Sequence, residues 1–168
     1  VSVHSAALSE ERLLAECAIQ FTRRSGPGGQ HRNKVETAVV LTHTPTGLRA
    51  EANERRSQAE NRSVALFRLR LELARKIRLP VARSAEPSEL WQRRSAGRKL
   101  NVRDDHPDFP AMLAEGLDRV AAHEFDIAAA AESLGISTTQ LARFLQQSPE
   151  AWKWVNDERR IRQLRPLR

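Results

Sequence analysis

Cysteine is almost missing from this sequence: Cys17 is the one thiol in 168 residues. A single thiol closes no internal disulfide and cannot build a cysteine-rich zinc site, which suits a reducing compartment. The five histidines (His4, His31, His43, His106, His123) show no metal-ligand spacing, so no metal and no cofactor are expected. Tyrosine is absent and aromatic residues make up 5% of the chain, while apolar residues reach 40%, enough for a modest core. No apolar run approaches the ~18 residues that a membrane helix needs. The first residues, Val1 to Ala7, carry no basic stretch and no long apolar segment, so no secretory signal is expected and the cytoplasm is the expected location. No Ser–His–Asp arrangement can be argued from spacing, and Ser25 is read as a loop residue.

Acidic residues are scarce in the first part of the chain. Residues 1–103 hold 20 Lys and Arg against 10 Asp and Glu, and residues 104–168 hold 8 against 11. The total is a net +7 with an isoelectric point near 10.8. A basic front and a mildly acidic back predict two segments with different tasks and an anionic partner for the first.

Ser9 as cap with Glu10 and Glu11 behind it predicts a short helix over 9–14. Residues 16–23 alternate, with Cys17, Ile19 and Phe21 on one side, as in a half-buried strand; Cys17 is expected to be a buried structural thiol. Ser25-Gly26-Pro27-Gly28-Gly29-Gln30 breaks regular structure and predicts a loop. A second strand is expected over 36–42, a reversal at Thr44-Pro45-Thr46-Gly47, and a returning strand over 48–52. Ser57 with Glu60 is a capping-box pattern that opens a long helix ending near Pro80, ~30 Å in length. Its stripe of Val64, Phe67, Leu71 and Ala74, widened by Leu66, Leu69, Leu73 and Ile77, must cover the small sheet. Pro80, Pro87 and Pro107 mark a connector with a short helix at Glu89–Arg94. Beyond it come helices near 111–123, 127–134 (capped by Asp126), 138–147 (capped by Ser137 after Gly135) and one opened by Ser148-Pro149.

The most informative residues are Gly28-Gly29-Gln30. Adjacent glycines let the main chain approach another molecule closely. A carboxamide has no titratable proton, so Gln30 is no general base. It can orient a water or offer its backbone N–H to developing negative charge. Such chemistry suits hydrolysis of an activated ester, where positioning does most of the work.

The string from Arg24 to Thr37, with Gly28-Gly29-Gln30-His31-Arg32-Asn33-Lys34 at its centre, resembles the catalytic loop of the class I peptide-chain release factors. It is closest to their short, codon-independent relatives that rescue stalled ribosomes. The resemblance continues through Leu41-Thr42-His43-Thr44-Pro45-Thr46-Gly47 and Arg55-Arg56-Ser57-Gln58-Ala59-Glu60-Asn61-Arg62, and covers about residues 10–79. It implies hydrolysis of the peptidyl-tRNA ester in the peptidyl-transferase centre, with large-subunit rRNA and peptidyl-tRNA as partners. It implies that the backbone N–H of Gln30 stabilises the transition state or leaving oxygen and that its side chain limits the nucleophile to water. Gly28 and Gly29 then shape the backbone, Pro27 and Asn33 brace the loop, and Arg23, Arg24, Arg32 and Lys34 meet rRNA phosphates. The family's Gln is often N-methylated, so a Gln N-methyltransferase acting on Gln30 is a candidate partner. About nine residues precede the matched region, which argues against a codon-reading domain and for codon independence. The best-known rescue relatives end in a basic tail; here the basic cluster Arg93, Arg94, Arg98, Lys99 and Arg103 is expected to touch RNA, and whether it does the tail's work is open.

The expected fold is α+β: a small antiparallel β-sheet packed on one long α-helix (1–79, catalytic), a basic linker (80–107), and an all-α, helix-turn-helix-like module (108–168), in a monomer. Residues 126–147 have a helix-turn-helix outline, but Arg143 is the one charge on the second helix. Nucleic-acid reading, protein or ribosome docking, and plain stabilisation all stay open for it. Trp91, Trp152 and Trp154 are read as core or packing residues before base-stacking ones, and the arginines from Arg159 to Arg168 suit either RNA or a helix C-terminus. The competing function is a non-enzymatic ribosome- or RNA-binding factor whose loop only docks.

Overall fold

The computed structural model describes residues 3–23 and 36–168. These divide into two compact units, 5–73 and 74–168, with His4 belonging to the second.

In the first unit, helix α1 (Glu10–Ala15) is capped by Ser9, whose hydroxyl accepts from the Arg12 N–H. It leads into a three-stranded antiparallel sheet, β1 (Cys17–Thr22), β2 (Ala38–His43) and β3 (Arg49–Ala52), in the order β1-β2-β3. Thr22 pairs with Ala38 at one end of the first hairpin and Cys17 with His43 at the other. The turn to β3 closes with Gly47, at φ +72°, donating to the His43 carbonyl at 2.7 Å. That left-handed conformation is cheap only for glycine.

Helix α2 (Gln58–Lys76) opens as the capping-box pattern predicts: the Ser57 hydroxyl accepts from the Glu60 N–H at 3.1 Å and donates to its carboxylate at 3.0 Å. Arg68 reaches the Glu51 carbonyl of β3 at 2.8 Å, fixing the helix on the sheet. The helix's buried residues are Asn61, Ala65, Leu66, Leu69, Leu73 and Ala74, so Ala74 of the expected stripe is buried, whereas Val64, Phe67 and Leu71 are half-buried. The expected stripe is therefore rotated toward what was read as its margin, and a polar residue heads it.

The β1 strand is present where the alternation predicts it, with Ile19 and Phe21 paired to Leu41 and Val39. Their burial is not as predicted. Ile19 is 37% exposed and Phe21 45%; the bonds from α2 reach Glu51 of β3 and Thr37 just ahead of β2, and none reaches β1 among the described residues. Cys17 is likewise half-buried rather than enclosed. Burial and the neighbouring Glu16 push its thiol pKa up, so it is a poor nucleophile.

The second unit is helical: α3 (Glu89–Arg94), α4 (Phe109–Ala122), α5 (Ile127–Ser133), α6 (Thr138–Gln146) and α7 (Pro149–Ile161). Asp126, Ser137 and Ser148 cap α5, α6 and α7 through side-chain oxygens, as the sequence predicts. Trp91 of α3 is fully buried, donates its indole N–H to the Leu134 carbonyl at 3.0 Å, and meets Phe144 edge-on at 5.8 Å. Asp118 is buried, accepts from Arg78 and from the Leu79 N–H, and has a pKa raised to about 6 because desolvation outweighs those partners.

Gly116 lies inside α4 beneath the Trp91 and Phe144 rings. A methyl group there would meet both at 3.6 Å, an ordinary contact distance. Gly116→Ala is expected to raise stability by about 1 kcal/mol, since a mid-helix glycine costs about that much relative to alanine. Denaturant unfolding of the two chains at one pH checks it; a destabilised variant would show that the rings cannot yield.

Candidate functional site

The hairpin β1–β2 holds the candidate catalytic segment between its strands. Its base is the Thr22–Ala38 pair, flanked by Arg23 and Glu36, whose charged groups lie 3.8 Å apart at the surface. Arg24, Pro27, Gly28, Gly29, Gln30, Arg32, Asn33 and Lys34 fall outside the described residues.

The chain leaving that segment is tied to the start of α2. Gln58 donates its carboxamide to the Glu36 carbonyl at 2.6 Å. Asn61, fully buried, donates to the Thr37 carbonyl at 2.7 Å and to the Arg55 carbonyl at 3.1 Å, and accepts from the Arg55 N–H at 2.9 Å. One carboxamide thus satisfies three main-chain groups from two stretches of chain. Sequence reasoning assigned Asn61 no separate role. The signal was there: it stands four residues ahead of Ala65, eight ahead of Leu69 and twelve ahead of Leu73, at the head of an apolar stripe. Asn61→Ala is expected to cost about 2–3 kcal/mol, because each orphaned buried polar group costs roughly 1–3 kcal/mol. The unfolding midpoint checks this, and an unchanged midpoint would mean that water replaces the amide.

His43 lies at the far end of the hairpin. It is buried, with Nδ1 2.7 Å from the Thr46 hydroxyl and Nε2 2.9 Å from the Glu16 carboxylate. The five residue steps from Cys17 to Thr22 span ~17 Å of strand. His43 therefore braces the β2–β3 turn, at the end of the hairpin away from the candidate segment. Among the described residues no group of His, Cys, Asp and Glu is placed to hold a metal.

The second basic cluster divides. Arg94 is held by Asp108, with Nη2 at 2.7 Å and Nε at 2.9 Å from the same carboxylate oxygen, and Nη2 also meets His106 at 3.1 Å. Arg103 lies 3.5 Å from Asp105. Arg93, Arg98 and Lys99 are exposed and form no ion pair among the described residues. Arg93, Arg94 and Lys99 line a single depression with Leu100, Asn101 and Gln140.

The helix-turn-helix outline is real in its turn, where Gly135 has φ +69°. One side of its second helix meets the 100–102 segment, while Thr138, Thr139, Arg143 and Gln146 stay exposed. Gln140 accepts from the Leu100 N–H at 3.2 Å and Gln147 donates to the Val102 carbonyl at 3.1 Å, so the 100–102 segment runs along α6. Three of the late arginines are also occupied: Arg159 bonds the Phe125 and Arg165 carbonyls, Arg160 pairs with Asp157, and Arg162 sits over the Phe125 ring at 4.3 Å, while Arg165 and Arg168 are exposed.

Comparison with known proteins gives a consistent result. Residues 13–105 match the RF-1 domain. The chain is 54% identical over 55 residues to the chloroplastic peptide chain release factor PrfB1 of Arabidopsis thaliana, covering 33% of this chain and 12% of that protein. It is 35% identical over 121 residues to peptide chain release factor 1 of Acidiphilium cryptum, covering 67% and 34%. With peptide chain release factor 1 of Malacoplasma penetrans the identity is 47% over 90 residues, covering 54% and 20%. The chain spans about a third or less of the length of these relatives. With more than half of its residues inside the match, the chain belongs to the RF-1 domain family, the family of class I peptide-chain release factor catalytic domains.

Proposed function

We propose that this protein hydrolyses the ester of peptidyl-tRNA on the ribosome, without reading a codon, and so frees nascent chains from stalled complexes in the cytoplasm. The observation that carries this is the Gly28-Gly29-Gln30 string with its basic flanks in a chain of the RF-1 domain family. Three of the relatives it matches are named peptide chain release factors. Codon independence is supported by the resemblance of the 24–37 string to the short rescue relatives.

In the proposed mechanism the Gln30 N–H meets negative charge on the reacting oxygens, and the side chain admits water while excluding larger nucleophiles. Gly28 and Gly29 keep that amide accessible. Arg23, Arg24, Arg32 and Lys34 hold rRNA phosphates, and Pro27 and Asn33 steady the segment. The surrounding rRNA supplies the fixed environment, so free peptidyl-tRNA is a poor substrate. A Gln N-methyltransferase is proposed to modify Gln30. The domain limits proposed from the sequence, 1–79, 80–107 and 108–168, assign this chemistry to the first of them.

Peptide release from purified ribosomal complexes tests the proposal, using mRNA truncated in the decoding site, mRNA with a sense codon there, and mRNA with a stop codon. Release from the truncated complex with no dependence on a stop codon is expected. Release confined to stop codons would make it a decoding factor. Ribosome binding without release from any complex would make it a docking factor.

A further inference from the structure

Two cations with no counter-charge among the described residues and two carboxamides converge on a depression of the helical unit. It encloses about 470 Å³ and is lined by Arg93, Arg94, Lys99, Leu100, Asn101 and Gln140, with no carboxylate among its described lining. Small-ligand sites begin at ~300 Å³. Arg94 is locked from behind by Asp108, so its guanidinium forms a rigid wall whose charge is largely neutralised. The net field comes from Arg93 and Lys99. Gln140 gives its oxygen to the Leu100 N–H and keeps its NH₂ group for a ligand. The Asn101 main chain is fixed by its N–H on the Arg94 carbonyl at 3.1 Å, while its side chain has no hydrogen bond among the described residues. Half-buried Leu100 supplies an apolar surface.

Cations for phosphate, amides for a mixed donor and acceptor edge, and an apolar surface for a ring are what an unpaired nucleotide requires. An acidic peptide could also meet the cations, so it is the competing occupant in the test below. A duplex is disfavoured because a concave site takes a base only once it has left its stack. We propose that this depression binds one nucleotide of single-stranded RNA, with flanking phosphates on Arg93 and Lys99 and the base edge on Asn101 and Gln140. The proposal deepens the ribosomal function above, on which it rests only for the source of the RNA.

The test uses the full chain and a short single-stranded RNA carrying 4-thiouridine, followed by fluorescence anisotropy and by mapping of photocrosslinks. The Arg93→Ala/Lys99→Ala double variant is expected to bind about tenfold more weakly, with a salt slope smaller by about 1.4, from ~0.7 per single-strand phosphate contact. Asn101→Leu is expected to weaken binding severalfold while leaving that slope unchanged, and crosslinks should fall within 93–101 or at Gln140. Lys153→Ala/Arg160→Ala, which removes two cations of α7 already paired with Asp157, should leave binding unchanged. Unchanged affinity and slope in the first double variant, crosslinks confined to other segments, or equal competition by polyglutamate would overturn the proposal. Gln30→Ala should bind this RNA like the parent chain. RNA held at 93–101 by a chain inactive in every release assay sinks only the hydrolase function. Active release with pocket variants that bind RNA normally sinks only the nucleotide site.

Discussion

Gly29→Val is expected to slow ribosome-dependent peptide release by about 10²–10³-fold, the size of effect seen when one donor to a developing oxyanion is lost. Valine adds a branched side chain beside the Gln30 amide, where the ester and its RNA surroundings must come close. Ribosome binding should persist, because it draws on cations spread along the chain. Gln30→Ala should behave differently. It keeps the main-chain N–H and removes the carboxamide, so the rate with water falls less while small nucleophiles such as hydroxylamine gain access. The measurement is single-turnover release of a labelled peptide from stalled ribosomes, with binding followed separately. Full-speed release by Gly29→Val would move the chemistry away from this amide.

The largest effect on stability is expected at Trp91. Trp91→Ala should cost the helical unit about 3–5 kcal/mol, the usual range for deleting a large buried aromatic. Three losses combine: an indole with no exposed surface, its hydrogen bond to the Leu134 carbonyl, and its edge contact with Phe144. Phe144 in turn packs on Phe109 at 5.2 Å, so the cavity opens where α3, α4 and α6 meet. Trp91→Phe should recover most of the packing and lose the hydrogen bond, for a cost of about 1–2 kcal/mol. Denaturant titration of both variants checks the order. A Trp91→Ala chain as stable as its parent would mean that residues 80–107 contribute nothing to the core.

Local patterns served well where the structure obeys local rules. The capping serines and Asp126, the Gly47 turn and the α3 bounds can all be read from neighbouring residues, because a cap or a turn is settled within four positions. Burial at β1 was not readable that way. Alternation gives the face on which Ile19 and Phe21 lie, but exposure depends on what covers the face, and β1 is an edge. Asn61 escaped for a related reason: an asparagine in a stripe looks like a defect until the carbonyl it serves, Thr37, is brought beside it from 24 residues away. The two helices and the glycine turn of 126–147 were readable locally, but nothing near 138–147 reveals that residues 100–102 will lie beside them.

By itself the sequence determined the α+β order of its elements and supplies the residues of the proposed chemistry: two glycines and a carboxamide with no titratable base, in a basic setting. Tertiary structure alone decided which polar residues are structural and which are left for a partner. Asn61 and Arg94 are consumed by bonds inside the fold, while Arg93 and Lys99 are left facing solvent. The physical reason is that charge and hydrogen-bonding capacity belong to a residue, but their availability depends on distant segments that meet only when the chain has folded.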